Sequence, residues 1–248
     1  MSGGGPNKPG TLITDGIRLD GRKPDEMRPV KIETGVLQNA DGSAYIEVGK
    51  TKVIAGVFGP RPIHPKHETL FDRAKVRCTY TLSSFSTEER ARPGPSRRSK
   101  EISKVSSEAL DAAIIAERFP RTAIDVFIQI IQADASTRVA GLTAASVAVA
   151  DAGIPMYDLV TACSFGKDYG TQDGKPVEVM VLDLDKPEDN YGLADVAIAT
   201  LPKVNRTVLL QMDGNLTFEQ FKEGLKLSKK GMEYLYQKQV EALKRRYE

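Results

Sequence analysis

Residues 124–152 read IDVFIQIIQADASTRVAGLTAASVAVADA, and the fold is decided in this stretch. Residues 124–132 are rich in β-branched side chains and apolar on both faces, which predicts a buried strand. Residues 139–152 form a run of mostly Ala, Val and Leu that is apolar nearly all round, which predicts a helix buried at the centre. The two are joined by residues 133–138, ADASTR, of which four are polar, so a charge there lies near the core.

The sequence on either side alternates between strand-like and helix-like patterns. In chain order we predict strands 43–48, 51–58 and 75–82, a helix over about 102–116, strand 124–132, helix 139–152, strands 158–165, 177–184, 194–201 and 207–212, and a helix over 218–247. Asp173-Gly174 and Asp213-Gly214 predict turns. This order predicts an α+β fold, a mixed sheet with packed helices, as one domain over residues 11–248.

The composition limits the classes of function. Hydrophobic residues make up 40% and charged residues 27% of the 248 residues, which excludes a disordered or fibrous protein. Lys and Arg number 35 against 33 Asp and Glu, so the net charge is only +2. Nucleic-acid binding would therefore depend on local basic clusters and not on a global positive field.

Location is predicted from the cysteines and the apolar runs. Two cysteines, Cys78 and Cys163, exclude a disulfide scaffold and fit a reducing compartment. No run approaches the ~18 apolar residues of a membrane span. Residues 1–10 are Gly, Pro and polar, without the apolar core of a signal peptide. We predict a disordered tail over 1–10 and a cytoplasmic protein without membrane contact.

Residues 96–100, SRRSK, stand at the start of the first predicted helix, after a basic loop that holds Arg90 and Arg92. A helix N-terminus disfavours cations, so the positive charges of Arg97 and Arg98 there need a compensating negative charge. A bound phosphate would supply it, because free backbone N–H groups and guanidinium forks both suit phosphate. The alternative is that these side chains simply extend into water.

Residues 134–138, DASTR, lie between the buried strand and the buried helix. Ser136 or Thr137 is a good N-cap for that helix. Arg138 stands in the first turn of an otherwise apolar helix, where a charge needs a partner. Asp134 is the structural candidate for that partner, and a bound phosphate is the functional one.

Acidic residues crowd the segment from 182 to 195. Asp189 and Asp195 are six residues apart, with a predicted turn at 190–192, a spacing that brings both carboxylates to the same end of two adjacent strands. Such a pair raises one pKa for general-acid work or holds a hard divalent metal, whereas the alternative is a solvated acidic loop. Two anion sites beside a carboxylate pair indicate phosphoryl transfer on a polyanion.

Specific motifs extend from about residue 16 to the C-terminus. They are RLDGR (18–22), KPDE (23–26), FSTEER (85–90), PSRR (95–98), FPRTAIDV (119–126), QADASTR (132–138), ADAGIP (150–155) and EDxxGxAD (188–195). In this order they closely resemble the RNase PH and polynucleotide phosphorylase family, and within it the active ring subunits of archaeal exosomes. The resemblance implies a fold like domain 2 of ribosomal protein S5. It also implies phosphorolytic 3′-to-5′ decay of single-stranded RNA, which releases nucleoside 5′-diphosphates and runs backwards as 3′-end tailing.

The resemblance assigns roles residue by residue. It implies inorganic phosphate at Arg98, Ser136, Thr137 and Arg138, catalysis by Asp189 and Asp195, Mg²⁺ at Asp189 and Asp195 with Asp183 as a further candidate, and RNA contacts by Arg97, Lys66, Arg90 and Arg92. For the aromatic residues Tyr80, Phe85 and Tyr191 we expect a place in the core or in a strand, and stacking on RNA bases is the weaker alternative. Relatives usually have Gly where this chain has Ser136, which would be strained there if φ is positive.

The resemblance also implies partners. We expect a hexameric ring with a related inactive RNase PH-like subunit, RNA-binding cap subunits and a central RNA path. One alternative is the homohexameric RNase PH that trims tRNA 3′ ends, against which the PSRR motif argues. Another is a non-catalytic ring scaffold, against which Asp189 and Asp195 argue. Residues 167–176 look longer than in many relatives, and no function is assigned to them.

Overall fold

The structure, a computed structural model, describes residues 11–246 and Glu248, so the predicted tail over 1–10 lies outside the described residues. Its helices and strands, in chain order, are β1 Ile13–Thr14, β2 Ile17–Arg18, β3 Val30–Thr34, β4 Gly42–Val48, β5 Thr51–Pro62, β6 Lys75–Leu82, α1 Arg97–Asp111, β7 Thr122–Gln132, α2 Thr137–Asp151, β8 Thr161–Gln172, β9 Lys175–Leu182, α3 Lys186–Tyr191, β10 Ala194–Leu201, β11 Arg206–Gly214 and α4 Phe218–Arg245. In this part of the chain, no helix is long and apolar enough to cross a membrane.

The strands form two mixed sheets. The first has the order β3-β4-β5-β7-β6, with β6 parallel to β7 and the other pairs antiparallel. The second has the order β11-β10-β8-β1-β2, with β9 also paired to β8 and β1 parallel to β8. The α+β prediction is confirmed, although the strands predicted as one mixed sheet divide into two.

Helix α2 lies between the sheets and joins their cores. It packs on β4, β5 and β7 of the first sheet and on β8 and β10 of the second. All its residues except Arg138 and Ala150 are buried. A helix that is apolar all round needs cover on every side, and two sheets supply it. The predicted central helix is thus confirmed, and it lies between the two sheets.

Several predicted boundaries were wrong. Strand β8 begins at Thr161 and continues to Gln172, because its second half pairs with β9. The Asp173-Gly174 turn is confirmed, with positive φ at both residues, whereas Asp213 and Gly214 continue β11 opposite β10. Helix α1 begins at Arg97 and ends at Asp111, and the short strands β1 to β3 were not predicted. The prediction of a single domain over 11–248 stays a prediction.

Residues 190–192 are not a simple turn between strands, because α3 occupies Lys186–Tyr191. Asp185 caps it in a reciprocal capping box with Glu188, and Pro187 stands in its first turn. Strands β9 and β10 each pair with β8 and not with each other, so the predicted adjacency of their ends was wrong. Helix α3 therefore positions Asp189.

Candidate active site

Four segments meet at one charged cluster: the N-termini of α1 and α2, helix α3 and the start of β10. Arg98 and Arg138 both act electrostatically on Asp189 and on Asp195, and the negative charge of Asp189 acts on Asp195. The three places that the sequence singled out are therefore neighbours in space. Arginines and carboxylates together are the elements of a phosphoryl-transfer site.

Asp189 projects from α3 at an exposed position. Desolvation by the surrounding protein raises its pKa, and the positive charges of Arg98, Arg28 and Arg138 oppose the rise. A carboxyl whose pKa is raised keeps its proton to a higher pH and is a better proton donor near neutrality. Asp189 thus combines access to solvent with a pKa above the usual value of an aspartate.

Asp195 is the second residue of β10, opposite Gly166 on β8 and Asp213 on β11. Desolvation raises its pKa, and the negative charges of Asp189 and Asp213 raise it further. Asp213 was missed from the sequence, where Asp213-Gly214 was interpreted as a turn. Extending the alternating pattern of the predicted strand 207–212 by two residues would have placed Asp213 in β11.

The turn before α2 has an unusual backbone. Ala135 and Ser136 both have positive φ, 60° and 52°. Ser136 stands at the N-cap, but its hydroxyl makes no capping bond. That hydroxyl shares a 2.7 Å hydrogen bond with Ser164 Oγ and donates to the Leu184 carbonyl at 3.1 Å. The first-turn N–H groups of α2 therefore have no cap from the Ser136 side chain, a geometry that suits an anion.

Thr137 and Tyr80 are joined beneath this turn. The Tyr80 hydroxyl donates to Thr137 Oγ1 at 2.9 Å, and Tyr80 is only 2% exposed. The core role of Tyr80 is therefore confirmed, and base stacking by this ring is excluded by its burial. Phe85, by contrast, is 75% exposed, and Tyr191 is half-buried.

Arg138 has partners other than the expected one. Its Nη1 donates to Gln211 Oε1, and its Nη2 lies 3.6 Å from Glu101 Oε1. Gln211 Nε2 donates to the same Glu101 oxygen at 2.9 Å. Asp134 was the wrong structural candidate, because the hydrogen bond and the ion pair of the Arg138 guanidinium go to Gln211 and Glu101 and none joins it to the Asp134 carboxylate. Gln211 and Glu101, on β11 and α1, were missed because only the tertiary fold brings them to Arg138.

The predicted basic residues lie at the surface. Arg97 and Arg98 form the first turn of α1 and are exposed, as are Arg90 and Arg92 in the preceding loop. Their guanidinium groups make no hydrogen bond or ion pair with any residue that the structure describes. Lys66 is exposed in the short 3-10 turn Lys66–Glu68, and no contact joins it to the carboxylate pair within the described range.

Asp183 is a structural residue. Its carboxylate is buried and accepts two hydrogen bonds from the Arg28 guanidinium, at 2.9 and 2.6 Å, and a third from the Arg28 backbone. Burial opposes ionisation, but Arg28 holds the pKa of Asp183 below its usual value. Within residues 11–246 and Glu248, no group of three or more His, Cys, Asp or Glu side chains is arranged around a metal position. Of the three residues predicted to hold a metal, Asp189 and Asp195 remain.

Comparisons with known proteins agree with the motifs. Residues 26–155 match the 3′ exoribonuclease family, domain 1 (RNase PH), and residues 158–231 match domain 2 of the same family. The chain is 61% identical over 233 residues to the exosome complex component Rrp41 of Pyrococcus furiosus, covering 94% of this chain and 90% of that protein. It is 56% identical over 241 residues to Rrp41 of Methanopyrus kandleri, covering 97% and 98%.

Two solved structures share the fold. Rice Rrp46 superposes with a TM-score of 0.79 at 22% identity, covering 92% of this chain and 100% of that one. The Archaeoglobus fulgidus exosome with RNA bound to the active site gives a TM-score of 0.75 at 24% identity, covering 90% and 93%. With matched domains over most of its length and relatives above half identity, the chain belongs to the RNase PH family of 3′ exoribonucleases.

Proposed function

We propose that this chain is the catalytic subunit of an archaeal exosome and degrades single-stranded RNA from the 3′ end by phosphorolysis. The observation that carries the proposal is the cluster of Asp189 and Asp195 with Arg98, Arg138 and the uncapped N-terminus of α2. Exosome components among its relatives, such as that of Pyrococcus furiosus, support the assembly.

In this proposal, inorganic phosphate is held between the N-termini of α1 and α2. Arg98 and Arg138 supply charge and guanidinium donors, and Ser136, Thr137 and Arg138 supply backbone N–H groups. A phosphate oxygen attacks the last phosphodiester, and the 3′ oxygen of the preceding nucleotide leaves. The last nucleotide departs as a nucleoside 5′-diphosphate. Because one ester is exchanged for one diphosphate linkage, the reaction also runs in reverse.

The two carboxyls act on the leaving oxygen. A carboxyl with a raised pKa donates a proton to the departing 3′ oxygen, which becomes the new 3′ hydroxyl. Mg²⁺ suits Asp189 and Asp195, because it takes oxygen ligands from one or two carboxylates together with substrate phosphates, and it would neutralise developing charge. Arg98 and Arg138 hold the attacking phosphate in line.

RNA reaches the site over exposed cations, for which we assign Arg97, Arg90, Arg92 and Lys66, with Phe85 as an exposed stacking ring. The proposed assembly is a hexameric ring with a related inactive RNase PH-like subunit and RNA-binding caps. The free thiols of Cys78 and Cys163 fit a cytoplasmic location.

The test replaces each carboxylate in the ring-assembled enzyme. Asp189→Asn and Asp195→Asn should each slow decay of a labelled single-stranded RNA by about 100-fold or more, because each removes a charge or a proton at the reacting centre. RNA binding should stay within about threefold, since phosphate contacts supply most RNA affinity. Asp173→Asn, at the distant β8–β9 turn, is the matched control. Wild-type decay by both site variants would indicate the scaffold alternative.

A further inference from the structure

A buried ion pair holds α3 against the rest of the protein. Arg18 Nε donates to Glu188 Oε1 at 2.6 Å, and Arg18 Nη2 donates to Glu188 Oε2. The two side chains are 0% and 1% exposed. The other Arg18 donors reach the carbonyls of Leu182 at 2.7 Å, Asp183 at 2.9 Å and Glu26 at 3.3 Å. All five guanidinium N–H groups are therefore used, which fixes the orientation of the fork.

Glu188 connects this ion pair to the start of α3. Its Oε2 also accepts from the Asp185 backbone at 2.9 Å, and its own N–H donates to Asp185 Oδ1 at 3.1 Å. Arg18 thus binds Glu188, one of the two residues that form the capping box. The capping box, in turn, ties the end of β9 to the first turn of the helix.

Helix α3 depends on such contacts for its position. It has only six residues, far below the ~12 at which an isolated helix becomes even marginally stable. Its C-terminal end is tightly packed as well, since a Cβ on Gly192 would overlap Asp168 Oδ1 and lie 2.5 Å from the Glu188 carbonyl. Asp189 follows Glu188 directly, so any movement of Glu188 moves Asp189.

We propose that Arg18 and Glu188 are positioning residues, which hold the Asp189 carboxylate at the reacting phosphate without touching substrate. The inference rests on the proposed catalytic role of Asp189. A buried ion pair is a poor source of net stability, because desolvation of the two charges offsets their attraction. Its directional hydrogen bonds do fix a geometry. A misplacement of about 1 Å at a reacting group costs about 100-fold in rate.

The experiment measures kcat and KM of the assembled enzyme with Arg18→Lys, which keeps the charge but loses the fork. We expect kcat to fall by about 10- to 100-fold, with KM for RNA and phosphate within about threefold, because only the transition-state geometry is affected. The matched control is Arg246→Lys, since Arg246 pairs with the fully buried Asp151 carboxylate away from α3. It should lower the melting temperature without lowering kcat.

A second variant, Glu188→Gln, tests the inference if Arg18→Lys does not fold. Glu188→Gln keeps an oxygen for the Asp185 N–H and removes the ion pair, and it should show the same loss of kcat at nearly constant KM. The inference is overturned if either folded variant keeps kcat within about twofold of the wild type. It is also overturned if Arg246→Lys loses as much kcat.

Asp189→Asn in the same assay separates this inference from the proposed function. If Asp189→Asn is inactive while folded Arg18→Lys keeps its kcat, only the positioning role is wrong. If Asp189→Asn keeps wild-type kcat, the catalytic role of Asp189 is wrong, and the positioning inference is overturned with it.

Discussion

Ser136 adopts a backbone conformation that glycine adopts without strain, with φ at 52°. Its hydroxyl makes two hydrogen bonds, to Ser164 and Leu184, and these offset the strain of about 1 kcal/mol or more in a non-glycine residue. The sequence raised this question at Ser136, but only the observed φ answers it.

Two substitutions of Ser136 separate the energetic cost of backbone strain from the contribution of the hydrogen bonds. Ser136→Ala loses both hydrogen bonds and keeps the strain, so its free energy of unfolding should fall by about 1–3 kcal/mol. Ser136→Gly loses the same bonds but relieves the strain, so its loss should be smaller by about 1 kcal/mol. Chemical denaturation measures both. A glycine variant less stable than the alanine variant would contradict this account of the turn.

Asp168 is a buried carboxyl whose two oxygens have no hydrogen-bond partner among the described residues. Burial raises its pKa to about 8, and the negative charge of Glu188 adds to the rise. Between pH 4 and 8, about the unfolded and folded pKa values, the folded state holds a proton that the unfolded state has lost. The free energy of unfolding therefore falls as pH rises through this range and levels off above it.

Asp168→Asn should remove that pH dependence, because an amide does not titrate. We expect the melting temperature of the variant, relative to the wild type, to increase steadily from about pH 5 to pH 8. Thermal denaturation of both proteins in matched buffers measures the difference. Parallel curves would mean that Asp168 does not keep a proton in the folded protein.

At the scale of elements, the long patterned segments were predictable and the short ones were not. Strand β10 and strand β6 lie where the alternation placed them, at Ala194–Leu201 and Lys75–Leu82. Strands β1 and β2 have two residues each, too few to show any period. Helix α3 was missed because its acidic composition resembles a solvated loop, although Asp185 to Glu188 is a capping-box sequence.

Gly192→Ala tests how tightly α3 is held. A Cβ there meets Asp168 and the Glu188 carbonyl, so α3 must shift. We expect a loss of about 1–3 kcal/mol in the free energy of unfolding. RNA decay should slow by about tenfold or more, because Asp189 moves with the helix. The control is Gly56→Ala, whose Cβ meets only the side chains of Leu37 and Ala40. Equal activity of the two variants would contradict a rigid α3.

At the scale of the whole molecule, the two-sheet sandwich follows from α2. A helix that is apolar all round must be covered on both sides, but periodicity cannot say which strands share a sheet. The sequence pointed to some of the charged residues that cluster here and not to others, and the role of the cluster stays a prediction. Arg98, Arg138 and Asp195 break local patterns and so attract notice, whereas Gln211 and Glu101 obey theirs and join the site only through tertiary packing.

The small net charge of +2 means that RNA binding depends on local cations. Arg90→Gln with Arg92→Gln should therefore reduce the slope of log affinity against log salt by about 1 to 2, as expected when two phosphate contacts are lost from single-stranded RNA. Binding titrations between about 50 and 200 mM salt measure the slope. The control pair is Lys226→Gln with Lys229→Gln on α4, both exposed. An equal change in both pairs would place the RNA elsewhere.

The most direct measurement follows a 5′-labelled single-stranded RNA with the chain assembled in its ring, with Mg²⁺, in the presence and absence of inorganic phosphate. We expect shortening from the 3′ end only when phosphate is present, with nucleoside 5′-diphosphates as products and RNA extension when those products are supplied instead. Equal decay without phosphate, releasing nucleoside monophosphates, would identify a hydrolase and contradict the phosphate site at Arg98 and Arg138.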